Sequence, residues 1–140
     1  MSNLDLSPFG DDHVRRYLET DGEVGYHWNG APTLILFTTG RKTGESRRAP
    51  LIFGQDADSY VVIASQGGSP KHPSWYLNLS ANPDVEVQVK GDRFQGRART
   101  VEGPERDRLW SLMTSVWPSY DTYQTRTERR IPLVVIERVT

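Results

Sequence analysis

Residues 34–51 read LILFTTGRKTGESRRAPL, a short apolar and β-branched run that enters a turn bracketed by glycines and leaves it as a second strand. The composition predicts a buried strand over Thr33–Thr39, a turn over Gly40–Gly44 and a partner strand from about Arg47 to Gly54, hence a β-hairpin. Its tip carries Arg41, Lys42, Arg47 and Arg48 against the single acid Glu45, in a chain whose formal net charge is -1. Such a tip reads either as a solvated edge or as an anion seat. We favour the seat, because backbone amides beside Gly40 and Gly44, the Thr43 hydroxyl and forked guanidinium groups are together suited to a ligand phosphate.

Working outward, the pattern is mostly strands. A polar turn over Gln55–Ser59 leads to a strand at Tyr60–Ser65, so three strands follow one another as an antiparallel meander. Residues 84–90 alternate Val85, Val87 and Val89 inward with Glu86, Gln88 and Lys90 outward. Their partner runs from Arg93 to Glu102, and Ile131–Val139 forms a last strand. Asp11–Thr20 reads as a helix capped by Asp11 or Asp12, in an N-terminal segment spanning 1–30. Pro73 starts a second helix that stops before Asn82-Pro83. Pro104–Val116 is amphipathic through Leu109, Leu112, Met113 and Val116, and beyond Trp117-Pro118 a short helix carries Tyr120 and Tyr123. The expected fold is mainly β with flanking helices: one domain over 1–140, with about six antiparallel strands in a small, partly open barrel.

Composition narrows the function. With 36% hydrophobic and 25% charged residues the chain is an ordinary globular one, and the absence of cysteine excludes disulfides, thiolate catalysis and iron–sulfur clusters. His13, His27 and His72 have no metal-ligand spacing, so no metal site is expected. No apolar run approaches the roughly 20 residues of a membrane helix, so no stable membrane insertion is expected. A near-neutral charge argues against a nucleic-acid partner. No nucleophile motif or phosphate loop stands out, which leaves the hard chemistry to a bound cofactor.

Other positions have two readings. Gly67-Gly68 is either a flexible loop or a close approach to a ligand, with Ser65 and Lys71 supplying polar contacts. Trp75 and Asn78 share a helix face that is either core or ligand wall. Tyr120 and Tyr123 are either packing or one wall of a pocket.

Three stretches, TTGRKTGESRRAPL, VIASQGGSPKHPSWYLNLSANPDVEVQV and YQTRTERRIPLVVIE, occur in an order that resembles the deazaflavin-dependent nitroreductases, a family that includes F420H2-dependent quinone reductases. The likeness runs from about Pro32 to Glu137. It implies a split β-barrel of the FMN-binding type, coenzyme F420 as cofactor, and hydride transfer to a quinone or nitroaromatic acceptor. It further implies that Arg41, Lys42, Thr43, Gly44, Arg47, Arg48, Ala49, Pro50, Leu51 and Ile52 hold the coenzyme's phosphate and one edge of its ring. Ala64, Ser65, Gln66, Gly67, Gly68 and Lys71, with Trp75, Tyr76, Leu77, Asn78 and Leu79, would line the other side. Tyr120 and Tyr123 would face the substrate as catalytic residues. An FMN-binding flavoprotein and a non-catalytic F420 carrier are the alternatives. Open strand edges permit a homodimer. Some members of the family associate with membranes through the N-terminus; here Asp5, Asp11, Asp12, Glu19, Asp21 and Glu23 oppose anionic lipid. A cytoplasmic location is therefore expected, with contact at the inner face of the membrane left open.

Overall fold

A computed structural model describes residues 11–139; the preceding ten, with Asp5 and the beginning of the segment read as 1–30, and Thr140 lie outside the described residues. Helix α1 (Asp11–Thr20) is followed by strands β1 (His27–Trp28), β2 (Ala31–Thr39), β3 (Ser46–Ile52), β4 (Gly54–Asp56) and β5 (Ser59–Ile63). Then come α2 (Ser74–Ala81), β6 (Asp84–Val89), β7 (Asp92–Thr100), α3 (Gly103–Val116), α4 (Ser119–Thr125) and β8 (Leu133–Arg138). Among the described residues all pairings are antiparallel, in the order β1-β2-β6-β7-β8-β5-β4, with β3 paired to β2 alone. The sheet curls into a split β-barrel with helices at its flanks.

Two expectations need correction. Among the described residues the sheet has eight strands rather than about six, because β1 and β4 span only two and three residues, too few for alternation to reveal. The expected three-strand meander is absent: β3 stops at Ile52, β4 pairs with β5, and β5 continues the sheet through β8. Phe53 marks the break, its amide donating to the Pro32 carbonyl at 3.1 Å. The chain thus makes two hairpins, β2–β3 and β4–β5, where the meander would have made one continuous ribbon.

Pro50 explains why β3 can end the pairing. The Gly40 amide donates to the Glu45 carbonyl at 2.7 Å, and this bond and the Phe53–Pro32 bond fix the two ends of the β2–β3 ladder. Antiparallel pairs alternate between bonded and non-bonded, which makes Pro50–Ile35 a non-bonded pair. The missing N–H of Pro50 therefore faces the open edge and costs the ladder nothing.

Burial accounts for the apolar runs. On β5 and β8, Val62, Val134 and Ile136 point into the barrel, while Val61, Leu133 and Val135 pack beneath Leu109 and Met113 of α3. Both faces are covered, so these strands read as continuous hydrophobic stretches. Helix α1 covers Ile35 and Phe37 of β2 with Val14 and Tyr17. It also buries Gln88, predicted to point to solvent but only 5% exposed; the side-chain amide donates to the Lys90 carbonyl at 2.8 Å.

Tyr17 locks α1 to the sheet. Fully buried, its hydroxyl lies 3.0 Å from the Thr33 carbonyl and 3.4 Å from that of Gln88, and accepts the Lys90 amide at 2.7 Å. Burial pushes its pKa up to about 12. Tyr17→Phe would strand these groups without space for water, so urea unfolding should show a loss of about 1–3 kcal/mol with an unchanged m-value.

Candidate active site

A cavity of about 860 Å³ opens between the β2–β3 hairpin, the loop 64–73, the first turn of α2 and the α3–α4 corner. Arg41, Lys42, Arg47 and Arg48 line it, and among the described residues no carboxylate does. On the sheet and α3 several arginines are matched to acids: Arg93 with Glu86, Arg97 with Asp84, Arg99 with Glu105, Arg108 with Asp56, and Arg138 with Asp92. Among the described residues Lys42 and Arg48 have no ion pair, and Arg47 reaches Glu45 only at 3.7 Å. The cavity mouth thus keeps positive charge of the kind those pairs neutralise.

The hairpin tip spends its own polar groups on rigidity. Gly44, with φ +76°, donates its amide to the Gly40 carbonyl at 2.8 Å, and the Glu45 amide donates to the Thr43 hydroxyl oxygen at 3.2 Å. The glycine amides expected to face a phosphate are therefore used within the turn, leaving side chains and the Lys42 and Thr43 amides. Arg41 is fixed across the cavity: its amide and Nη1 donate to Asn78 Oδ1 at 3.2 and 2.9 Å. Asn78 Nδ2 donates in turn to the Thr38 hydroxyl at 3.2 Å. Asn78 is 3% exposed, and this network satisfies the amide that its burial would otherwise penalise.

The loop 64–73 has little regular structure, yet a single side chain organises it. Arg129 Nε donates to the Ser69 carbonyl at 2.7 Å, Nη2 to the Ser65 carbonyl at 2.8 Å, and Nη1 to the Ala64 carbonyl at 3.2 Å. Nη1 also lies 3.1 Å from His72 Nδ1. Burial and the neighbouring guanidinium lower the His72 pKa, which favours the neutral ring whose Nδ1 accepts a hydrogen bond from Arg129. Gly68, with φ +86°, packs against α4, where a Cβ would lie 2.6 Å from the Tyr123 carbonyl oxygen.

Aromatic rings close the other end. Trp28 and Trp117 stand 5.2 Å apart between centroids, and Trp117 Nε1 donates to the Tyr123 hydroxyl oxygen at 3.2 Å. Tyr120 meets Tyr123 edge-on at 6.0 Å. Tyr120 is 4% exposed and has no hydrogen-bond partner for its hydroxyl among the described residues; burial, with Tyr123 beside it, raises its pKa strongly.

Most of the residues singled out from sequence converge here: Arg41, Lys42, Thr43, Arg47, Arg48, Ala49, Pro50, Leu51, Ile52, Ser65, Gln66, Gly67, Trp75, Asn78, Tyr120 and Tyr123 all line the cavity. Gly44, Ala64, Gly68, Lys71, Tyr76, Leu77 and Leu79 do not. Helical periodicity turns Ser74, Trp75 and Asn78 of α2 toward the cavity and the other α2 residues away from it. Tyr76 instead hydrogen-bonds the Thr100 hydroxyl at 2.9 Å, and Leu79 joins the core. Sequence reasoning missed Trp28, Thr38, Gly40, Ile63, Pro73, Ser74 and Trp117 as lining residues, and Arg129 as the organiser of the loop. Trp117 was legible as a neighbour of the Tyr120 and Tyr123 cluster but was not singled out as a site residue, and Trp28 sits on a strand too short to announce itself.

Among the described residues no three His, Cys, Asp or Glu come together to hold a metal ion, and no helix is long and apolar enough to cross a membrane. A curled split barrel with a cationic and aromatic cavity defines the class of protein. Residues 11–138 match the family model described as F420H(2)-dependent quinone reductase, and the chain belongs to that family. Coenzyme F420 is the family's cofactor. A Mycobacterium tuberculosis protein named F420H(2)-dependent quinone reductase is 43% identical over 130 residues, covering 90% of this chain and 87% of that protein. A solved F420-H2 dependent reductase is 43% identical with a TM-score of 0.71, over 76% of this chain and 94% of that one. Another solved chain, described as a domain-swapped dimer, is 41% identical with a TM-score of 0.73, over 90% and 95%.

The His72–Arg129 contact gives the cavity wall a pH dependence. Because folding lowers the His72 pKa, the unfolded chain takes up its proton first as pH falls. The stability tied to neutral His72 is therefore complete above its ordinary pKa of about 6.5 and declines below it. Thermal unfolding between about pH 8 and about pH 5 should show a falling midpoint in the lower half of that range. His72→Gln, which keeps an acceptor for Arg129, should flatten the fall.

Proposed function

We propose that this chain reduces quinones with reduced coenzyme F420. The single observation that carries the reading is the division of one cavity into a cationic end, free of carboxylates among the described residues, and an apolar, aromatic end. That division suits a cofactor with an anionic tail and a flat ring better than a uniformly charged or uniformly greasy ligand. Lys42, Arg47 and Arg48 would hold the phosphate, while Arg41, tied to Asn78, would keep the turn in place. The open edge of β3 offers backbone groups to a ring's polar edge. By the ladder register, the Ile52 amide faces that edge, whereas the Leu51 amide is engaged with Leu34. The Tyr120 hydroxyl, which has no hydrogen-bond partner among the described residues and borders the cavity, is a donor open to a bound molecule.

When bound, the reduced deazaflavin supplies a hydride to a two-electron acceptor. The residues of the chain do the rest: Trp28, Ile52, Ile63 and Trp117 exclude water, and Tyr120 and Tyr123 flank a flat acceptor and donate hydrogen bonds to an oxygen that gains negative charge. Solvent supplies the proton that completes the hydroquinone. Nitroaromatics are flat and electron-poor in the same way and form a second acceptor class for this cleft. The relative described as a domain-swapped dimer supports a homodimer, and the phosphate-bearing reductant supports a cytoplasmic setting.

Purified protein mixed with reduced F420 and menadione should consume the reduced coenzyme faster than the same mixture without protein; equal rates would overturn the reading. Reversing Lys42 and Arg48 to Glu together should weaken coenzyme binding by about a hundredfold, measured by titration, since each charge-assisted contact contributes roughly 1.5–3 kcal/mol. Menadione affinity should change little.

A further inference from the structure

We propose that Trp117 is a positioning residue that aims the Tyr123 hydroxyl proton into the cavity, an inference that rests on the quinone-reductase reading. An indole N–H can only donate, and that of Trp117 reaches the Tyr123 oxygen at 3.2 Å. A phenol proton lies in the ring plane on one of two sides. With the Trp117 N–H on one side, the Tyr123 proton takes the other. Among the described residues nothing accepts it, and both side chains line the cavity.

The ring that carries this hydroxyl is fixed on several sides. The Arg126 guanidinium lies 5.5 Å from its centroid and donates from Nη1 to the Gly67 carbonyl at 3.3 Å. Tyr120 meets it edge-on, and its own backbone carbonyl rests on Gly68. Trp117 is braced in turn by Trp28. A donor preset in direction needs no reorganisation when an acceptor oxygen gains charge, which is where such donors help most. Tyr123 keeps its proton throughout and only donates a hydrogen bond.

The test combines a mutant cycle with a readout independent of turnover. Trp117→Phe keeps an aromatic ring against Trp28 and removes the N–H; Tyr123→Phe removes the hydroxyl. Each should lower kcat for menadione by about tenfold, the scale of one hydrogen bond, with coenzyme affinity within about twofold of wild type. The double variant should fall no further than either single one, because the N–H acts only through the hydroxyl. Losses that multiply would mean that Trp117 merely packs, and would overturn the proposal. In proton NMR spectra, the indole N–H resonance that disappears in Trp117→Phe should move upfield in Tyr123→Phe. An unmoved resonance would overturn the proposal even if Trp117→Phe proved too unstable to assay. Wild-type protein without turnover would overturn the reductase reading and with it the kinetic role of Trp117, while the resonance would still decide whether the hydrogen bond forms.

Discussion

The unpaired edge of β3 is the constraint from which the site follows. A strand paired on both sides would have closed the barrel and filled the space that is now the cavity. Pro50 enforces the opening from within the sequence, since it offers no N–H to a second neighbour, while the alternation of the ladder spares β2 any loss. Consecutive residues from Arg47 to Ile52 can therefore all border one cavity, which a strand buried on both edges could not arrange.

What the open edge creates, two polar anchors hold in shape. Asn78 joins the hairpin to α2 through Arg41 and Thr38, and Arg129 gathers the carbonyls of Ala64, Ser65 and Ser69. Neither anchor is exceptional as a single interaction. Together they fix both walls of the cavity while using only Arg41 of the cations at its mouth, so that Lys42, Arg47 and Arg48 stay available to a ligand.

The sequence made some of this legible and hid the rest for physical reasons. Elements with a strong local period, such as the Val85-Val87-Val89 strand and the helix at Asp11–Thr20, emerged with nearly correct bounds. The hairpin was legible because glycines and basic residues mark its turn. The path of β5 was not, because an apolar run says that both faces are buried and nothing about which strand lies beside it. Gln88 misled for a related reason: its alternation was right, but the cover supplied by Tyr17 comes from 71 residues away. In the cavity, the motif residues of α2 divided by helical geometry, so that Trp75 and Asn78 face inward while Tyr76 and Leu79 serve structure. Arg129 gave no local sign, since its partners are backbone carbonyls of a distant loop, and carbonyls have no sequence signature.

Arg41, Lys42, Arg47 and Arg48, with Glu45 as the single acid beside them, leave a surplus of positive charge at one opening that repels itself when no anionic ligand is bound. The ligand-free protein is thus held in a mildly unfavourable electrostatic state, and any anion that enters releases that tension along with making its own contacts. Grip and fragility then have a common origin: the same crowding that attracts the guest weakens the host while it waits, and dissolved electrolyte, by screening both, should soften the attraction and steady the empty fold at once.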